Sequence, residues 1–207
     1  MHRHRSPRYP YIGLAKALAL AAELPRAEMP VEGVAKAWGR EGGSSRVAQA
    51  IAALRQYGLI HVARRGKSSH LELTLLGDRL RKARRPRDLC DAALNPMAFE
   101  FVWNKMQSGA TSREALIQLL TSDYEYGPPF SPRAAEEVLR IFVANAELAK
   151  LEVGDELAKA VSTMHGPVVQ EEILAQGKIR IQYRGSPDRK DFEEARAHFA
   201  AKAKAGR

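Results

Sequence analysis

Apolar positions recur at helical spacing at the start of the chain and then change period. From Ile12 to Leu24, Leu14, Ala17, Leu18, Ala21 and Ala22 predict one side of a helix that ends before Pro25. A second helix is expected from Pro30, which suits a first helical turn, through Val34, Ala35 and Trp38 to Gly39. Residues 40–45 form a turn with two adjacent glycines, and Ser44 and Ser45 can each cap a helix. A third helix is predicted over about Ser45 to Tyr57, with Gly58 as its stop. On it Val47, Ala50, Ile51 and Leu54 fall on one side. Ser45, Gln49, Ala52 and Gln56 fall opposite, with Arg46 on the flank.

After Gly58 the period shortens to two. Leu59 to Arg64 reads as a short strand, residues 65–69 as a turn with a glycine, and His70 to Leu75 as an alternating strand. The pair predicts a β-hairpin with a basic tip, on which His61 and His70 face each other. Thr74 to Leu80 leaves the strand and starts another helix, running into the basic stretch Arg79, Arg81, Lys82, Arg84, Arg85 and Arg87.

The rest is mostly helical by pattern. Helices are expected at Asp88 to Leu94, at Pro96 to Gln107 with Phe99, Val102, Trp103 and Met106 inward, after Thr111 or Ser112, and at Pro132 to Leu151. A short helix at 154–162, a strand from Lys178 to Arg184 and a last helix from about Ser186 to Lys202 follow. Tyr124, Tyr126 and Phe130 sit among prolines in a loop expected to pack over the helical layer; lining a partner surface or small pocket is the alternative.

The order helix, helix, turn, helix, strand, basic turn, strand over residues 11–76 is that of a winged helix-turn-helix. The expected fold class is therefore mainly α with a small β-hairpin. A winged-helix domain spans about 10–85, and a helical region with a late strand spans 86–207.

Charge sharpens this picture. The 207 residues carry a net charge of +9, unevenly distributed. Residues 1–90 hold 18 Lys and Arg against 7 Asp and Glu, a net of +11; residues 91–207 hold 15 against 17, a net of −2. A localised excess of this kind fits a segment that binds a polyanion. From Gly42 to Leu71 there is no acid at all, so nothing on the third helix or the hairpin turn would repel a phosphate backbone.

A resemblance adds to this reading. It is carried by Ser6-Pro7-Arg8-Tyr9-Pro10, by Val34-Ala35-Lys36-Ala37-Trp38-Gly39, by Ser44-Ser45-Arg46, and above all by Ala53-Leu54-Arg55-Gln56-Tyr57-Gly58-Leu59. With the Leu73-Thr74-Leu75-Leu76-Gly77 exit, these resemble a group of largely uncharacterised prokaryotic winged helix-turn-helix proteins, regulator-like, over about residues 6–150. The resemblance implies that the third helix reads DNA and that the hairpin is the wing.

Other chemistry finds little support. Cys90, the single cysteine, excludes an intramolecular disulfide, fits a reducing compartment, and lies in an apolar helical stretch as a small buried hydrophobe. The histidines show no metal-site spacing beyond His2 and His4. Glu136-Glu137, Glu171-Glu172 and Glu193-Glu194 are neighbours that diverge by about 100° on a helix, so none forms an acid–base pair. Gly39 to Ser44 lacks the Lys-Ser/Thr ending of a phosphate loop. No catalytic residue, cofactor or metal site is expected. The most apolar stretch, Ile12 to Leu24, is too short to span a bilayer, and no signal segment is expected.

The expected function is sequence-specific binding of double-stranded DNA by a homodimeric transcriptional regulator in the cytoplasm, at the nucleoid. Ser44, Ser45, Arg46, Gln49 and Gln56 would meet the groove. Arg64, Arg65 and Lys67 on the wing, with Arg79, Arg81, Lys82, Arg84 and Arg85, would meet phosphates. The alternative is an interaction or scaffold module whose winged helix docks a protein or RNA, with the helical C-terminal region as a further partner surface.

Overall fold

A computed structural model of the chain describes residues 7–39, 44–66, 68–164, 169–174 and 179–184, with side chains followed as far as Val161. The first helix, α1 (Leu14–Ala22), buries Leu14, Ala17, Leu18, Leu20 and Ala21. Two residues of strand, β1 (Met29–Pro30), precede α2 (Val31–Ala37). Helix α3 (Ser45–Gln56) starts where the Ser44 hydroxyl accepts from the Val47 N–H at 3.3 Å. It ends at Gly58, whose φ of 68° lies in the left-handed region.

Strands β2 (Ile60–Arg65) and β3 (Ser68–Leu73) form the expected antiparallel hairpin. Its register differs in one respect. His61 lies opposite Glu72 and His70 opposite Ala63, so the two histidines do not face each other. The hairpin is also not alone: β1 pairs with β3 through Met29↔Leu71 and Pro30↔His70, giving the order β1-β3-β2. Periodicity cannot reveal a two-residue strand, and Pro30 is tolerated there because it lies on a sheet edge.

Helix α4 (Leu75–Lys82) is joined tightly to the hairpin. The Thr74 hydroxyl donates to the Gly58 carbonyl at 2.6 Å and accepts from the Gly77 N–H at 3.0 Å, while the Thr74 N–H donates to the Leu59 carbonyl. Helices α5 (Pro86–Leu94), α6 (Met97–Gln107), α7 (Arg113–Ser122) and α8 (Pro132–Ala149) follow. Ser112, not Thr111, caps α7. On α6, Ala98, Phe99, Phe101, Val102 and Met106 are buried and Trp103 only half-buried, so the helix is covered on more than the single stripe its spacing predicts. In the aromatic loop Tyr124 and Phe130 pack edge-on at 4.8 Å and are buried, whereas Tyr126 stays exposed.

The core does not stop at residue 85. Tyr57 at the end of α3, Phe99 on α6 and Phe142 on α8 pack as tilted rings with centroids 6.3 and 6.2 Å apart, and α5 packs against both α4 and α8. One cluster of buried side chains runs from Tyr9 to Val161. The chain divides after Val161, into units of residues 1–161 and 162–207. The expected boundary near 85 follows the end of the winged-helix order of elements, whereas the apolar faces of α5, α6 and α8 have the N-terminal helices as partners.

Helix α9 (Asp155–Met164) follows, and its residues 155–161 end the first unit. In the second, β4 (Val169–Leu174) pairs antiparallel with β5 (Ile179–Arg184), supplying a partner for the strand expected there. The expected last helix, Lys67, and His2, His4, His165 and His198 lie outside the described residues. Among the described residues no helix is long and apolar enough to cross a membrane.

Candidate nucleic-acid interface

Helix α3 carries two unlike sides. Val47, Ala50, Ala53 and Leu54 are buried and Ile51 is half-buried. Ser45, Arg46, Ala48, Gln49, Ala52 and Arg55 are exposed, and Ser44 is half-buried at the cap. Helix α1 and strand β2 pack against α3, and α2 packs on β3.

Two polar features hold α3 in place. The Tyr57 hydroxyl donates to the Ile12 carbonyl at 2.8 Å and accepts from Asn145 Nδ2 at 2.9 Å. Asn145 Oδ1 in turn accepts from the Leu14 N–H at 2.7 Å, so a side chain of α8 caps α1, whose own Gly13 offers none. Burial pushes the Tyr57 hydroxyl well above the ordinary tyrosine range, partly offset by the Asn145 hydrogen bond. At the other end, Asn95 Nδ2 donates to the Gln56 carbonyl at 2.6 Å. Gln56 is half-buried there, at the α5–α6 turn, apart from the exposed Ser45, Arg46 and Gln49 a full turn or more away.

The basic residues divide into two sorts. Arg64 is exposed near the hairpin tip. Arg65 beside it keeps a side chain 66% exposed, yet its Nε donates to both Glu28 carboxylate oxygens, at 2.7 and 3.0 Å. The Arg65 hydrogen bond holds the Glu28 carboxyl below its usual range, and His70 Nδ1 lies 3.8 Å away. The stretch without acids in the sequence thus acquires one in space, because β1 lies alongside β3.

Three members of the basic run are engaged in structure. Arg79 Nε donates to Asp88, which is buried, at 2.8 Å. Arg81 donates to the Leu24 carbonyl and to Asp78, and only 17% of its side chain is exposed. Lys82 pairs with the other oxygen of Asp78, and these two cations hold the Asp78 carboxyl below its usual range, Lys82 foremost. A charged group on one face of α4 is what i to i+3 and i+4 spacing from Asp78 permits. By contrast Arg84, Arg85 and Arg87 are exposed around the start of α5, and no ion pair among the described residues holds them.

Spacing along the sequence missed Arg55, which belongs with Ala52 on the exposed side of α3, and Arg8. Both line a cleft of about 380 Å³ at the C-terminal end of that helix. Arg55 was legible from its phase, three residues after Ala52. Arg8 was not, because only the path of the N-terminal segment brings it there. Elsewhere, Cys90 is half-buried with Sγ 3.4 Å from the Ala149 carbonyl. Glu136 and Glu137 bond Arg113 and Arg140 separately. Among the described residues, no group of three or more His, Cys, Asp and Glu could hold a metal ion.

Compared with protein-family models, curated proteins and solved structures, the chain has no significant match.

Proposed function

We propose that residues 10–85 act as a winged helix-turn-helix that binds double-stranded DNA with sequence preference, as a homodimeric transcriptional regulator of the cytoplasm. The observation that carries this reading is the N-terminal half of α3. It presents Ser45, Arg46 and Gln49 to solvent without a carboxylate on the helix, and β2 with exposed Arg64 packs against the same helix. A helix of this kind suits the major groove, where Gln pairs with adenine and Arg with guanine. Arg64, Arg84, Arg85 and Arg87 are the cations best placed for phosphates, since no ion pair among the described residues occupies them. Arg79, Arg81 and Lys82 already have carboxylate or carbonyl partners and contribute less.

Selection from a random duplex pool tests the reading. Gln49→Ala is expected to relax the preferred sequence. Arg64→Ala should weaken every duplex about equally and lower the dependence on salt by roughly one counterion. If no sequence is enriched and both variants bind like the parent chain, the DNA reading falls. Binding confined to an acidic protein or to RNA would favour the scaffold alternative instead. Sedimentation of the DNA-free chain as a monomer would remove the homodimer from the proposal.

A further inference from the structure

We propose that the cleft between the C-terminal half of α3 and the α5–α6 turn binds a small organic carboxylate, an anion with an apolar body. Its volume of about 380 Å³ is at the lower end of small-molecule sites, roughly 300–1,000 Å³. Arg8 and Arg55 line it, both are exposed, and no ion pair among the described residues occupies either. Among the described residues no carboxylate lines the cleft. Two guanidinium groups with open donors match the paired oxygens of a carboxylate.

Besides the amide residues Gln56 and Asn95, the remaining lining is apolar, through Ala52, Pro96 and Met97. Met97 is 52% exposed, unusual for a large hydrophobic side chain, and an unbranched thioether adapts to varied apolar shapes. Pro96 is buried and makes that wall stiff. A bare phosphate would use the two arginines and leave this apolar lining without a role. A carboxylate attached to a hydrocarbon or an aromatic ring would use both.

Ala52 and Arg55 also belong to the exposed side of α3. An occupant would cover Ala52 and neutralise Arg55, and so weaken duplex binding; this consequence alone rests on the DNA reading, whereas occupancy of the cleft does not.

The test uses the full chain labelled at its methionine methyl groups, titrated with hexanoate and benzoate. Hexanamide, benzamide and inorganic phosphate serve as contrasting probes. Both carboxylates are expected to shift the Met97 methyl signal saturably, with the amides weaker by about tenfold, the loss of one charge-assisted contact. The double variant Arg8→Gln/Arg55→Gln should lose about as much affinity as removing that charge from the ligand. The Met29 and Met106 signals report whether its fold is intact.

An unmoved Met97 signal overturns the proposal. So do amides that bind as well as acids, carboxylate binding retained in the double variant, or phosphate that matches the carboxylates. Duplex binding measured with and without hexanoate then tests the coupling. A chain that binds carboxylate but no DNA would sink the proposed function and leave the cleft assignment standing.

Discussion

Single residues show how far a local reading reaches. Arg64 and Arg65 are neighbours of the same type at the end of one strand, yet Glu28 engages only Arg65. The pair is exposed, so solvent and salt screen it, and a phosphate competes with the carboxylate for the guanidinium. Glu28→Gln is therefore expected to tighten duplex binding, most at low salt. A carbon-detected titration should find the Glu28 carboxyl below 4.5, rising towards that value in Arg65→Ala. The folded value is depressed, so whatever stability the pair adds is present above the ordinary glutamate range. It is lost as pH falls through the depressed value. An unchanged Glu28 titration in Arg65→Ala would mean that the ion pair does not form in solution.

Gly77 is a second residue whose role lies in space. A Cβ at this position would stand 2.1 Å from the Leu59 carbonyl oxygen, which is backbone and cannot swing aside. Helix propensity favours Ala over Gly by about 1 kcal/mol. The clash opposes it with an overpacking cost of about 3 kcal/mol, so Gly77→Ala is expected to destabilise by roughly 2 kcal/mol net. In thermal unfolding this is a fall of about 4–8 °C. A rise in melting temperature would show that α4 can move off the hairpin freely.

Among the elements, the Asn145 side chain joins three helices. It caps α1 by accepting from Leu14, and it fixes Tyr57 at the end of α3 from its own place on α8. Asn145→Leu fills similar space but leaves the Leu14 N–H without an acceptor and the Tyr57 hydroxyl without a donor. The expected cost is about 2–4 kcal/mol, from one or two buried polar groups left unmatched. Tyr57→Phe should cost less, about 1–2 kcal/mol, because the Leu14 cap survives. Denaturant unfolding of both variants checks the order; equal costs would argue against Asn145 as the helix cap. Leu14 and Asn145 are 131 residues apart, so no window of sequence could pair them. The sequence does place a polar Asn145 among Phe142, Val143 and Ala146, and that break in an apolar stretch was the available signal.

For the whole molecule, the continuous core predicts how fragments behave. Residues 1–85 without α5, α6 and α8 would expose Tyr57, Leu14 and Leu80, each nearly or wholly buried in the chain. This fragment is expected to melt without a cooperative transition, whereas residues 1–161 should keep a single sharp one. Calorimetry on the two fragments distinguishes the outcomes. A sharp transition in 1–85 would restore the boundary that the winged-helix order of elements suggested.

Helix and hairpin positions were legible because they follow from local chemistry: periods of 3.6 and 2, Ser44 and Ser112 as caps, and Gly58 as a stop. The side of α3 that faces solvent was legible for the same reason, Arg55 included, apart from the half-buried Ile51 and Gln56. Strand β1, the partners of Arg65 and Arg79, and the reach of the core were not. Each depends on groups far apart in the chain. Glu28 meets Arg65 only after β1 aligns with β3, and Arg79 meets Asp88 only after α4 and α5 turn. Local spacing specifies which cations the surface carries. Packing specifies which of them keep open donors, because an ion pair depends on distance in space and a sequence records only distance along the chain.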